Sequence, residues 1–212
     1  MPISSLNNFS VPLGADGNSA ANQGLLMPKL SYRFRVRLSN FGVSGDTTEM
    51  TKQVMSVGRP VATFGDIKLH VYNSVVKLPG KPSWGDIELV LRDDASGAVS
   101  RKVAEQVQKQ FDFYEQASAS SGNVFKFTTN VEILDGANGA YEPTVLENFE
   151  LVGCYIKMAT YEGMDYSKDT DPVTVKLTIS FDNANQLTQV NGVISGIGIP
   201  VGYNEGAIAT GG

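Results

Sequence analysis

Lys77-Leu78-Pro79-Gly80-Lys81-Pro82-Ser83-Trp84-Gly85-Asp86-Ile87-Glu88-Leu89-Val90-Leu91-Arg92-Asp93-Asp94 is the stretch on which the fold turns. Its two prolines cannot donate to a central ladder, so Leu78–Pro82 is expected to turn. Ile87, Leu89 and Leu91 then alternate with Asp86, Glu88 and Arg92, the period of a half-buried strand. Asp93-Asp94-Ala95-Ser96-Gly97 breaks that strand and offers side-chain oxygens to the orphan N–H groups of a helix start. Val99, Val103, Val107, Phe111 and Tyr114 follow at steps of four, four, four and three. That apolar stripe, with Arg101, Lys102, Glu105, Gln106, Lys109 and Asp112 on the wet side, predicts a helix over about 97–116. Ser118 to Gly122 ends it in a loop.

Strands flank this unit on both sides. Tyr32, Phe34, Val36 and Leu38 alternate with Arg33, Arg35 and Arg37. Lys52 to Val57 reads as a second strand, stopped by Gly58-Arg59-Pro60. Ile67, Leu69, Val71 and Val75 mark one face of a long third strand, with Lys68, His70, Tyr72 and Ser74 on the other. Val124 to Leu134 carries Phe125, Phe127 and Val131. Phe149, Leu151 and Tyr155 oppose Val152, Cys154, Ile156 and Met158. That strand is apolar on both faces, hence central or covered by another subunit. Val173, Val175, Leu177, Ile179 and Phe181 give the cleanest alternation. Six to seven strands and one helix predict a mainly-β fold, a barrel or sandwich with the helix packed on it.

The chain divides into an arm at 1–28, a folded domain at 29–183 and a Gly-rich arm at 184–212. Neither arm has a helical or strand period of useful length. Leu25, Leu26, Val193, Ile194, Ile197, Ile199 and Val201 are nonetheless too apolar for a solvated tail. They are expected to order against a neighbour. The net charge of −5 argues against non-specific gripping of nucleic acid, which needs Lys and Arg to neutralise phosphates. One Cys and one His leave no disulfide framework and little for catalysis. No apolar run approaches the ~20 residues of a membrane helix. The first nine residues lack the pattern of a signal peptide, so the chain is expected to be made in a cytosol and not to leave it through a cleaved signal.

Two blocks carry a resemblance to a known family. One is Lys77 to Asp94 running into the helix. The other is Phe149-Glu150-Leu151-Val152-Gly153-Cys154-Tyr155-Ile156, a turn through Asp165-Tyr166-Ser167, and the strand Val173 to Asn183. With the opening strand Tyr32-Arg33-Phe34-Arg35-Val36, these resemble the tail tube protein of contractile-tailed bacteriophages over about residues 30–183. The resemblance implies a ring-forming subunit. Hexameric rings would join strands edge to edge into an inner barrel and stack into a tube inside a contractile sheath. It further implies sheath and baseplate partners, with tape measure protein and genomic DNA passing through the lumen. No membrane insertion by this chain is implied. The site would be a virion tail assembled in a bacterial cytoplasm. A baseplate tube initiator, a type VI secretion tube and a phage-derived injection device share the fold and stay open as alternatives. A lumen of acidic and small polar groups would let a polyanion slide.

The candidate interface residues are Arg33, Arg35, Arg37, Trp84, Val152, Cys154, Ile156, Met158, Ile194, Ile197 and Ile199. The three arginines suit acids on an adjacent subunit, a plain solvated face or, least well in so acidic a chain, DNA. Trp84 suits a core anchor or an interface anchor. Cys154 suits core or interface filling. Asp165, Asp169 and Asp171 offer oxygens to a hard cation but lack the EF-hand Gly and Glu, and a polar turn accounts for them. Gly196-x-Gly198 follows no good strand and opens no helix, so it is no nucleotide fingerprint. His70 lies on a polar strand face. Asp86 with Glu88 would serve a carboxylate hydrolase, and Tyr155, Tyr161 and Tyr166 a carbohydrate-binding sandwich. Neither pattern is complete. The chain is expected to be no enzyme and to need no cofactor or metal.

Overall fold

A computed structural model describes residues 28–43, 47–135, 143–167, 171–190 and 193–196, with backbone alone for 188–190 and 193–196. The described elements run β1 (Phe34–Ser39), α1 (Thr48–Lys52), β2 (Val54–Val57), β3 (Ala62–Val71), β4 (Ser74–Trp84), β5 (Ile87–Arg92), α2 (Ala98–Gln110), β6 (Phe111–Asp112), β7 (Ala117–Ser118), α3 (Gly122–Phe125), β8 (Phe127–Leu134), β9 (Val145–Tyr161), β10 (Thr174–Ser180), β11 (Asn183–Val190) and β12 (Val193–Gly196). The chain is mainly β, as its alternation predicts. Contacts divide it into Met1–Arg33 and Phe34–Gly212. In the first unit Arg33 N–H closes a turn on Leu30 C=O at 3.1 Å, and its guanidinium lies 5.5 Å over the Tyr32 ring.

In the second unit the strand order is β1-β8-β9-β10-β5-β2, with β11 also on β9 and β12 on β11. All pairings are antiparallel. Strand β9 organises the fold. Its first half, Glu147–Val152, lies between β8 and β11. Its second half, Tyr155–Tyr161, lies beside β10. The change of partner falls at Gly153, whose φ of +72° belongs to the left-handed region glycine tolerates best. A Cβ there would also sit 2.7 Å from Asp182 Cγ, so only Gly fits this corner. The double-sided apolarity at 149–158 therefore reads as a central strand that passes between two layers.

Ile87, Leu89, Leu91, Val175, Leu177 and Ile179 are buried under α2, which contributes Val99 and Val103. Full burial of each such aliphatic is worth roughly 1.5–3 kcal/mol. The acidic break works as predicted. Asp94 Oδ1 accepts from Ala98 N–H at 3.3 Å, Asp93 Oδ1 accepts from Ser100 N–H at 3.4 Å, and the Ser100 hydroxyl donates to Asp93.

Five expectations need correction. The helix stops at Gln110 rather than about 116. Phe111 is extended, at φ −148°, and Asp112 Oδ1 accepts from the Tyr114 and Glu115 N–H groups, a local turn that competes with helix. Leu78–Pro82 is strand, not turn. It belongs to the two-stranded ribbon β3–β4, where each strand keeps an outer edge on which a missing N–H breaks no ladder. The long third strand reverses at Tyr72-Asn73, with Tyr72 at φ +41°. Lys52, the first residue of the expected second strand, instead closes the short helix α1 (Thr48–Lys52), and the strand begins at Val54. The Gly-rich arm begins as sheet: Asn183–Val190 pairs with β9, and Ala184 packs on the core.

Candidate assembly surfaces

Backbone pairing leaves one layer of the sheet unfinished. The four strands β9 (second half), β10, β5 and β2 form a run whose end strands each have a single partner along this stretch among the described residues. Glu162 N–H donates to Thr174 C=O at 3.2 Å, which sets the alternation along β9. Thr160 and Met158 also turn their backbone groups toward β10, so those of Tyr161 and Ala159 face outward. At the other end, Gly58 N–H donates to Glu88 C=O and Arg92 N–H to Gln53 C=O, both at 2.8 Å. Val57, between Gly58 and Ser56, faces outward in turn. Such edges are templates for another chain.

The ribbon β3–β4 is a second unfinished surface. Register pairs Ile67 with Leu78 and Leu69 with Val76, which places four aliphatics on one face. Their exposures are 50%, 44%, 47% and 46% in that order. The opposite face carries Lys68 across from Lys77 and His70 across from Val75. A Cβ on Gly80 would meet Gly65 C=O at 2.9 Å, so a glycine lets the two backbones close at the bulge. An isolated two-stranded ribbon is marginal in water, and this one displays its aliphatics instead of burying them.

The arginines of β1 are paired within the chain. Arg35 Nε donates to Glu132 Oε2 at 2.6 Å, and Arg37 Nε lies 3.5 Å from the same oxygen. Glu132 is buried, and the two guanidiniums compensate it. Arg33 lies in the other unit. Trp84 is half-buried against the core, its ring 5.8 Å from Phe181. Cys154 is fully buried; its thiol donates to Leu151 C=O at 3.3 Å, and burial pushes its pKa up. A thiol so placed is no nucleophile. Ile156 is buried beside it, while Val152 and Met158 are exposed at 41% and 54%. Ile194 lies in β12 by its backbone; Ile197 and Ile199 fall outside the described residues.

The remaining clusters do not assemble into reactive sites. Lys157 Nζ donates to Asp86 Oδ2 at 2.5 Å, and that bond with one from Ser180 holds the Asp86 carboxyl below its ordinary range. Such a group stays ionised and is unsuited to donate a proton. Tyr155 lies across from Ser180 and Tyr161 across from Val175, on opposite faces of β9, so these two rings share no platform. Asp165 Oδ1 accepts from Ser167 N–H at 2.9 Å, and that bond lowers its pKa. Asp165, Asp171 and Glu162 border an open groove with Met55 and Thr174. Among the described residues no group of three acids, His or Cys is arranged for a metal ion, and Asp169 lies outside them.

Sequence reading missed two features. The ribbon carried a usable signal, two alternating runs split by Tyr72-Asn73. The second is Gln110, whose side chain binds the backbone of Ile156, 46 positions away. A polar residue on a helix's wet side carries no mark of such a role.

No protein-family model matches the chain, and no curated protein matches it. Solved structures do. The cap that terminates the tube of the anti-feeding prophage is 16% identical at a TM-score of 0.59, over 82% of this chain and 99% of that one. A chain of the sheath–tube complex of the extracellular contractile injection system PVC, in its extended state, is 15% identical at 0.54, over 76% and 93%. A chain of the anti-feeding prophage baseplate, a six-fold symmetrised structure, is 10% identical at 0.52, over 77% and 98%. At these identities the likeness is one of fold. The chain thus has the mainly-β fold found among the tube, cap and baseplate components of phage-tail-like contractile particles.

Proposed function

We propose that this chain is a structural subunit of the tail tube of a contractile phage tail. Copies join head to tail into hexameric rings that stack into a hollow tube. The carrying observation is the four-stranded layer with an open edge at each end. A chain with two different open edges closes a ring when each edge meets the other edge of the next copy. The exposed aliphatic face of β3–β4 supports the same reading, because a neighbouring copy would remove it from water. Six copies per ring is the count in keeping with the six-fold baseplate that shares the fold.

In such a ring the face of this layer turned away from α2 lines the lumen. Thr160, Thr174, Thr178 and Ser180 lie there with Glu88 and Lys176. Hydroxyls and scattered opposite charges give a polyanion no continuous cationic track. Genomic DNA and tape measure protein would pass along this wall, with sheath and baseplate proteins outside, in a virion tail assembled in the bacterial cytoplasm. The subunit turns over no substrate and needs no cofactor. A second reading, a cap that ends a tube, is favoured by the likeness to a terminating cap over nearly its whole length.

Electron microscopy of the purified protein over a range of concentrations separates these. Stacked rings with a central hole support the tube, and single rings that never stack support the cap. Monomers at every concentration, with no ring in particles from the source, refute both.

A further inference from the structure

The open edge of β9 does not run the full length of its second half. It stops at Ile156, and the stop is a single side chain. The β8 ladder on that side ends with Phe127 across from Cys154. Ile156, two residues on, turns its backbone groups the same way. Gln110 Nε2 donates to Ile156 C=O at 2.9 Å, and Ile156 N–H donates to Gln110 Oε1 at 2.8 Å. One carboxamide thus satisfies the donor and the acceptor of one residue, as the next residue of β8 would have done. Beyond it Lys157 is the extra residue of a bulge, and then come the outward-facing Ala159 and Tyr161.

We propose that Gln110 sets the register in which a second copy of this chain pairs with β9. The partner segment is β2 of that copy, the opposite edge of the same layer, and it pairs along Ala159 and Tyr161 up to the Gln110 stop. The inference rests on the ring reading and deepens it. Its physical need lies in the period of a strand. A slip of one residue exchanges the two faces and is forbidden by burial. A slip of two residues, about 6–7 Å, keeps every side chain on its proper face. Face chemistry alone does not exclude that slip, so a physical stop must. Gln110 is placed for this by α2, which ends at it: Val99, Val103 and Gln106 of that helix are buried, and the Phe111 N–H just after it bonds Val107 C=O.

Hydrogen exchange on free and assembled protein, with Gln110→Met beside the wild type, tests the assignment. Assembly is expected to slow the Ala159 and Tyr161 amides about tenfold or more and to leave Ile156, already bonded, unchanged. In free Gln110→Met, which keeps the length and loses both bonds, the Ile156 amide should exchange at least about tenfold faster. Its rings should vary in diameter where wild-type rings are uniform. Should that variant fail to fold, Val57→Cys combined in one chain with Ala159→Cys or Tyr161→Cys replaces it. In assembled protein, oxidation of one of these pairs should then link copies into a ladder. Wild-type rings in which Ala159 and Tyr161 exchange as in the free chain, or rings of the double-cysteine variants in which neither pair links, overturn the pairing while leaving the ring reading intact. Uniform Gln110→Met rings overturn the role of Gln110. Absence of rings in the wild type removes the ring reading and this inference with it.

Discussion

Gly153→Ala tests the corner that passes β9 from one layer to the other. Two costs arise. A non-glycine residue at φ +72° pays about 1–2 kcal/mol. The new Cβ also meets the Asp182 carboxylate, at 2.7 Å from Cγ and closer to Oδ2. Asp182 must move, and Lys126, which ion-pairs with it, loses its partner. Both side chains are partly exposed, so that loss is about 0.2–1 kcal/mol. The expected sum is about 2 kcal/mol, or roughly 4–8 °C in Tm for a domain of this size. Urea denaturation followed by the fluorescence of Trp84, the one tryptophan, reports it locally, because Trp84 packs on Phe181 next to Asp182. Gly163→Ala is the control: a Cβ there meets nothing within 4 Å. In an Asp182→Ala background Gly153→Ala should lose the clash with the carboxylate and cost the backbone share, about 1–2 kcal/mol, plus the remaining 3.1 Å approach to the Cβ of residue 182. A Gly153→Ala cost no larger than that of Gly163→Ala refutes the argument.

Other substitutions probe separate parts of the fold. Leu89→Ala, at a fully buried site in the core, should cost about 2–5 kcal/mol by chemical denaturation. Gln106→Leu should cost about 2–4 kcal/mol, because Gln106 Oε1 accepts from Gly42 N–H and its Nε2 donates to Phe125 C=O, and both groups would be orphaned. The Asp86–Lys157 pair gives a pH signature. Asp86 is depressed, so its contribution is present above the unfolded carboxylate value and fades as pH falls below about 4. Lys157 is raised by Asp86, so its share holds at and below about pH 10 and fades as pH rises through its folded value. The stability gap between wild type and Asp86→Asn should therefore be flat between those limits and narrow outside them; a gap that widens on acidification contradicts the pairing. Cys154 should resist alkylation at pH 8 in the folded chain and react about a hundredfold faster in urea, since burial raises its pKa. Equal rates would put the thiol at the surface.

What the sequence made legible, and what it hid, follows from how each feature is encoded. Ile87, Leu89, Leu91, Val175, Leu177 and Ile179 showed their faces because burial on one side forces a period of two, and all six are core. The acid pair before α2 was readable because a helix start needs oxygens close in sequence. Phe111 kept the helical spacing yet left the helix, because the Asx turn at Asp112 is a local competitor that periodicity does not weigh. Pro79 and Pro82 were read as a turn on the premise of a central ladder, and the premise failed in a ribbon of two strands. Of the eleven interface candidates, those inside the fold were chosen for side-chain chemistry, and Arg35, Arg37 and Cys154 turned out to be satisfied within the chain. Among the described residues, the features that remain unsatisfied are of another kind. Alternation tells which way side chains point and is silent on which backbone groups lack a partner. Those groups at Ala159, Tyr161 and Val57 belong to residues of ordinary type, and nothing in their names marks them as edges. If assembly proceeds by joining edges, its determinants are positions in a ladder, and they become visible only once the ladder has been built.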